Sequence, residues 1–254
     1  MTMQLLAAPG FNPVLAGATA RRVLTQLRHD PRTIAMMVAV PTVMMILLRY
    51  VLSNSLVLDH IGPEYIGVFP FVIMFMVTAI TTQRERSRGT LERLMAMPLG
   101  KLDLLAGYGT AFGLVACVQV ALVLVVPLTW LGVTLPGSAM PLAVVAVLDA
   151  VLGMACGLFA SAFARSEFQA VQFMPAFVLP QALLSGLVVP RDPMAAVLQW
   201  LSDILPLSYA VDAMQRITSA SAWTSATTGD IAVILAFTVA ALIGGALTLR
   251  RRTP

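Results

Sequence analysis

Few side chains in this 254-residue sequence could do chemistry. Asp149 is an acid inside a long apolar run. A carboxylate in hydrocarbon costs a few kcal/mol to keep charged, so it is a candidate for substrate or proton contact, or for a structural, cavity-facing role. Gln172 and Gln181 are further polar groups that could face a pathway. Cys117 and Cys156 lie in apolar runs, where thiols pack as small hydrophobes. Two thiols without ligand spacing make neither a disulfide framework nor a metal site, and His29 and His60 are too isolated to add one. The one lysine, Lys101, follows a glycine in GKL, 100–102. A phosphate-cradling loop reads G-x-x-x-x-G-K-[ST]; Met95 and Leu102 stand at its first glycine and its hydroxyl position. Neither a nucleotide site nor a clustered catalytic set is present, so the chain is not expected to be an enzyme or to hold a cofactor.

The densest charge is QRERSRGTLERLMAMP, residues 83–98, with four arginines and two glutamates. Thr90 after Gly89 reads as a helix N-cap. Leu91, Leu94 and Met95 follow at i, i+3 and i+4 as one apolar face, and Pro98 and Gly100 stop the helix. A short exposed apolar face beside ordered charge suits docking to a partner better than a solvated loop.

The elements that position these residues are membrane helices. The chain is 59% hydrophobic and 11% charged, where soluble domains carry about 25% charged residues. Its net charge of +4 fits the cytoplasmic loops of a membrane protein, and no nucleic-acid partner is expected. Apolar runs long enough to span place helices at about 33–52, 64–82, 106–128, 140–164, 170–188 and 231–249. The turn-rich WLGVTLPGSAMP, 130–141, separates the third from the fourth. Thirteen basic residues fall on one side of these spans and three on the other, which puts both termini and segment 83–104 in the cytoplasm. Residues 11–32 read as a basic amphipathic helix on the cytoplasmic membrane surface. Residues 189–230 read as two short re-entrant or interfacial helices outside. Two small-xxx-small faces, Gly109/Gly113 and Gly153/Gly157, are packing signals, and Pro41, Pro70, Pro175 and Pro180 sit inside spans. The expectation is an all-α, single-domain membrane protein, 1–254.

RERSRGTLERLMAMPLGK resembles the E-R-x-x-G-T-L-E-x-L-x-x-x-P segment of type-2 ATP-binding-cassette exporter permeases, through Glu85, Arg86, Gly89, Thr90, Leu91, Glu92, Leu94 and Pro98. LPQALLSGLVVPRDPM resembles that family's L-S-G-x-x-x-P stretch, through Leu184, Ser185, Gly186 and Pro190. LPLSYAVDAMQRI resembles its P-L-T-Y-x-V-D-A-L segment, with Pro206, Tyr209 and Asp212 in place, Ser208 for threonine and Met214 for leucine. The daunorubicin-resistance type of permease is the nearest pattern. The resemblance implies a half-transporter in a bacterial-type plasma (inner) membrane, pairing with a second copy or a paralogous permease and with two ABC ATPase subunits that hold ATP and Mg. It implies that 83–104 is the coupling segment, with Arg86 and Arg88 giving charge complementarity. It implies that the first, second and fifth spans line the path of an alternating-access exporter. A pathway with so little charge suits a hydrophobic or amphipathic solute, a drug or a lipid. A glycolipid or polysaccharide exporter and an ATP-independent secondary transporter are the alternatives.

Overall fold

The computed structural model describes residues 11–51, 55–96, 100–133, 135, 137–220 and 223–248, with the side chains of 55–61, 92, 95, 96 and 220 outside that description. The described residues form ten helices: α1 (Pro13–Arg28), α2 (Pro31–Val51), α3 (Ser55–Ser87), α4 (Thr90–Ala96), α5 (Lys101–Thr129), α6 (Ala139–Ala160), α7 (Glu167–Leu184), α8 (Ala196–Ile204), α9 (Pro206–Ala220) and α10 (Ser225–Thr248). Five are long and apolar enough to cross a membrane: α2, the Gly62–Ser87 part of α3, α5, α6 and α10. The expected span at 170–188 corresponds to α7. At 18 residues it is about 27 Å long, and Glu167, Gln169, Gln172 and Gln181 dilute its apolar character.

The long helices outrun the bilayer. α3 has 33 residues, about 50 Å against a hydrocarbon core of about 30 Å, so at least one of its ends stands outside. The helix runs on past the expected span end near residue 82. Gln83, Arg84, Glu85 and Arg86 are good helix formers and carry α3 on until Gly89, whose φ of +67° breaks it. Thr90 opens α4 rather than capping it, because the Gly89 carbonyl accepts from the Arg93 amide. Pro98 lies outside the described residues.

The α3–α6 pair has the most extensive contact in the fold. Gly153 and Gly157 lie one turn apart on α6, directly against the backbone of Phe71 and Phe75 on α3. Gly109 and Gly113 on α5 have the same spacing but face open space. Around this pair, α9 inserts Leu207, Ala210, Val211 and Met214, all fully buried, and α10 lays Gly244 and Gly245 on Leu158 and Phe159. α1 packs along α5, where Gly107 meets Thr19 and Ala16. It is therefore held against the bundle by Ala16, Thr19, Ala20 and Val23, with Val14 exposed.

Two polar side chains serve main-chain carbonyls of distant segments. Pro41 cannot donate to the Met37 carbonyl, and Gln119 on α5 supplies that bond at 3.3 Å. Arg49, near the end of α2, donates to the Leu131 carbonyl just past the end of α5.

The glycine contact is testable. Gly157→Val would drive a side chain into the Phe75 carbonyl and destabilise the bundle by about 1–3 kcal/mol, seen as a lower melting temperature and lost monodisperse yield in detergent. Gly113→Ala, with nothing near it, should leave both unchanged.

Candidate functional site

The residues singled out by the sequence gather at the two ends of the bundle. At one end the last turns of α3 are tied to four other helices. Glu85, 6% exposed, accepts from Arg22 Nη1 of α1 at 2.9 Å and from the hydroxyl of Tyr108 on α5. Arg22 Nη2 also donates to Tyr108 at 3.3 Å. Arg84 makes a paired contact with Glu167 at the start of α7, 3.0 Å for each bond, and reaches Asp30 between α1 and α2 at 3.6 Å. Arg86 donates to Thr248 of α10 at 3.3 Å, and Lys101 to the Ala246 carbonyl of α10 at 3.2 Å. Asp103 fixes the local chain path: it is fully buried and accepts from the amides of Asn12 at 2.6 Å and Gly100 at 3.0 Å. Asp30, bonded by the Thr33 hydroxyl and amide, is held below the usual carboxylate range.

α4 sits on this cluster. Its expected exposed apolar face is turned inward: Leu91 is buried in the chain's own core and Leu94 packs against it. The reason is that Gly89 lets α4 fold back on α3. The exposed groups here are Ser87, Arg88 and Arg93. The side chains of Glu92 and Met95 lie outside the described residues.

At the opposite end the two remaining motif stretches form one unit. Ser185 ends α7, its hydroxyl donating to the Ala182 carbonyl, and Gly186 turns the chain with φ +92°. The Leu184 carbonyl accepts from Ser202, which also bonds Ser208. Pro206 opens α9, where the Leu207 amide donates to Gln181 Oε1 at 3.4 Å. Tyr209 donates to the Asp203 carbonyl at 2.7 Å. Arg191 is the hinge of the unit, bonding Asp212 at 2.8 Å and Asp203. A polar cavity of about 640 Å³ lies here, lined by Glu64, Pro190, Arg191, Asp203, Asp212 and Arg216. Sequence reasoning passed over Arg191, Arg22 and Asp103. Arg191 sits within the quoted LSGLVVPRDP and was the one legible cation on that side of the motif; Arg22 and Tyr108 are 63 and 23 residues from Glu85 and gave no local signal.

The three expected pathway residues are not brought together. Asp149 is fully buried in α6, with neither carboxylate oxygen bonded among the described residues. Gln172 is exposed on α7. Gln181 is buried, joining α7 to α9. Polar type does not show which way a helix residue faces, and α7 buries only Ala170, Val178 and Gln181. The large apolar space lies elsewhere: a cleft of about 650 Å³ between α7 and α10, with Phe75, Phe159, Phe163, Phe173, Phe177 and Phe237 on its walls and the α8–α9 turn at one end. Among the described residues no group of His, Cys, Asp and Glu could hold a metal ion.

Known proteins share this pattern. The family described as ABC-2 type transporter matches residues 15–218. Over 201 residues the chain is 28% identical to the probable multidrug ABC transporter permease YbhS of Escherichia coli (strain K12), covering 78% of this chain and 51% of that one. It is 30% identical over 148 residues to the inner membrane transport permease YhhJ of the same organism, covering 58% and 39%. It is 26% identical over 182 residues to the linearmycin resistance permease protein LnrN of Bacillus subtilis (strain 168), covering 71% and 47%. The chain spans about half the length of the curated relatives it matches.

The ion cluster makes its own prediction. Arg22→Met and Glu85→Gln should each lower the melting temperature. The double variant should be no worse than the poorer single one, a coupling of about 1–2 kcal/mol in a double-mutant cycle. Additive losses would show that the two side chains do not act as a pair.

Proposed function

The chain belongs to the ABC-2 type transporter family and is an integral, multi-pass membrane protein; from that premise we propose that it is the permease subunit of an ATP-driven exporter of a hydrophobic or amphipathic drug or lipid. The observation that carries this reading is the convergence of α1, α5, α7 and α10 on the end of α3 that leads through Gly89 into α4, through Glu85, Arg84, Arg86 and Lys101. A force applied at α4 would pass to α3 through the Gly89 joint and the Leu91/Leu94 packing, and from α3 to four other helices through bonded contacts, which is what a coupling element requires. The sequence holds no phosphate-binding loop, so ATP and Mg are assigned to separate ABC ATPase subunits that dock from the cytoplasm.

Within this reading, residues 83–104 divide by role. Glu85, Leu91 and Leu94 join the segment to its own bundle, while Arg88 and Arg93 face outward and supply the docking charge. α7 is the fifth span, entering at Glu167 beside the end of α3 and ending at the opposite face. Its exposed Phe177, Leu179 and Leu183, with the exposed Val43, Met44 and Leu47 of α2, supply apolar surface for a second copy or a paralogous permease. α8 and α9 close the outer end as the re-entrant pair. The phenylalanine-lined cleft supports an apolar solute, and relatives are named as multidrug and linearmycin-resistance permeases. Substrate would move by alternating access, out of a bacterial-type inner membrane. A secondary transporter working alone would need a relay of buried charges, and Asp149 stands without one.

Co-expression with the ATPase tests the assignment. Arg88→Glu combined with Arg93→Glu should abolish co-purification of the ATPase while the permease remains membrane-inserted and monodisperse. Unchanged ATPase recovery and export would remove these arginines from the interface. Orientation is tested on a background of Cys117→Ala and Cys156→Ala. An impermeant maleimide should label Asp192→Cys in intact cells and Ser87→Cys only after lysis; both side chains are exposed. The reverse pattern would invert the topology.

A further inference from the structure

A second, smaller apolar groove lies where α1 ends, α2 begins and α5 passes behind them. Its volume is about 270 Å³, and Leu27, Ile34, Val38 and Val118 are among its walls, with Arg28 and Gln119. Ile34, Val38 and Val118 are exposed on the outer faces of α2 and α5, so the groove opens sideways toward hydrocarbon. Arg28 is exposed and has no side-chain partner among the described residues. Its neighbours do not neutralise it. α1 contains no acidic residue, Glu85 is committed to Arg22, and Asp30 already accepts from Thr33 and meets Arg84. Gln119 is 2% exposed; its Nε2 serves the Met37 carbonyl, and its Oε1 is left without a partner among the described residues.

We propose that this groove binds one anionic phospholipid, its phosphate on Arg28 and part of one acyl chain between α2 and α5. An apolar slot of this size takes an alkyl chain, and an unneutralised guanidinium at its edge selects negative charge. A zwitterionic lipid would fill the same slot without that selection. The site depends on membrane embedding, which the family establishes. The leaflet it belongs to rests on the orientation proposed above. Neither depends on whether α4 docks an ATPase, so the two readings fail separately.

Native mass spectrometry of the purified full chain tests it, with added phosphatidylglycerol or phosphatidylcholine of identical acyl chains. The wild type should retain one phosphatidylglycerol in preference to phosphatidylcholine. Arg28→Gln should weaken phosphatidylglycerol binding about fivefold, the loss of one surface arginine, and leave phosphatidylcholine unchanged. Val118→Trp, filling an exposed wall, should weaken both lipids. Arg21→Gln, exposed on α1 and not on the groove wall, should change neither. The proposal is overturned if the wild type shows no headgroup preference, or if Arg28→Gln and Val118→Trp both bind as wild type. It is equally overturned if Val118→Trp alters oligomeric state alone, which would assign the groove to a second copy.

Discussion

Helices in a bilayer gain little from hiding apolar surface from one another, because lipid tails are as apolar as leucine. Close backbone approach has to supply the contact instead. Among the described residues the approach is tightest where Gly153 and Gly157 let α6 rest on the main chain of Phe71 and Phe75. The other helices are placed against that pair. α9 reaches it through Met214, which lies against Gly67, and α10 through Gly244 and Gly245. α5 lies along α6 and carries α1 with it. The spine also sets where charge can go. α3 runs unbroken from the α6 contact to Ser87, so Arg84, Glu85 and Arg86 are the tip of a rod whose middle is fixed.

Polar groups follow from the same constraint. A backbone in hydrocarbon must satisfy itself, and each proline inside a helix leaves a carbonyl to be served. Gln119 serves the one freed by Pro41, while threonines such as Thr42, Thr110 and Thr238 bond the carbonyl one turn back. Full charges pair at the two ends, Glu85 with Arg22 on one side and Arg191 with Asp212 on the other. Asp149 is the departure from this rule, a carboxyl in the middle of the core with nothing bonded to it among the described residues.

How far the sequence was legible follows from the range of each interaction. The helices were visible as uncharged runs because burial in hydrocarbon acts on every residue of a span. The charged segment and both outer motifs were visible because their residues stand a few positions apart. The two glycine pairs were not distinguishable: Gly109/Gly113 and Gly153/Gly157 have the same spacing, and only a tertiary neighbour separates them. The continuation of α3 to Ser87 was not legible from the uncharged run, which ends at the first charge, whereas arginine and glutamate continue a helix as well as leucine does. Gln172 and Gln181 looked alike, yet one faces outward and one bonds α9. The Arg22–Glu85–Tyr108 cluster joins three distant stretches and left no trace in any of them.

The cluster changes what the charged segment is. A solvated loop could carry the same arginines and would merely fix topology, but a loop would not bury a glutamate against a tyrosine and an arginine from two other helices. Gly89 divides the segment into two parts with different attachments. Before it, α3 is bonded to α1, α5, α7 and α10, and Arg88 stands exposed just ahead of the joint; after it, α4 holds on through Leu91 and Leu94 and shows Arg93 to the outside. On the proposed reading, a partner pressing on the arginines would load the apolar contact of α4 first and the ionic ties of α3 second. Rigid attachment is needed at the second step and compliance at the joint. A buried carboxylate with two donors supplies the one, and a glycine at φ +67° supplies the other.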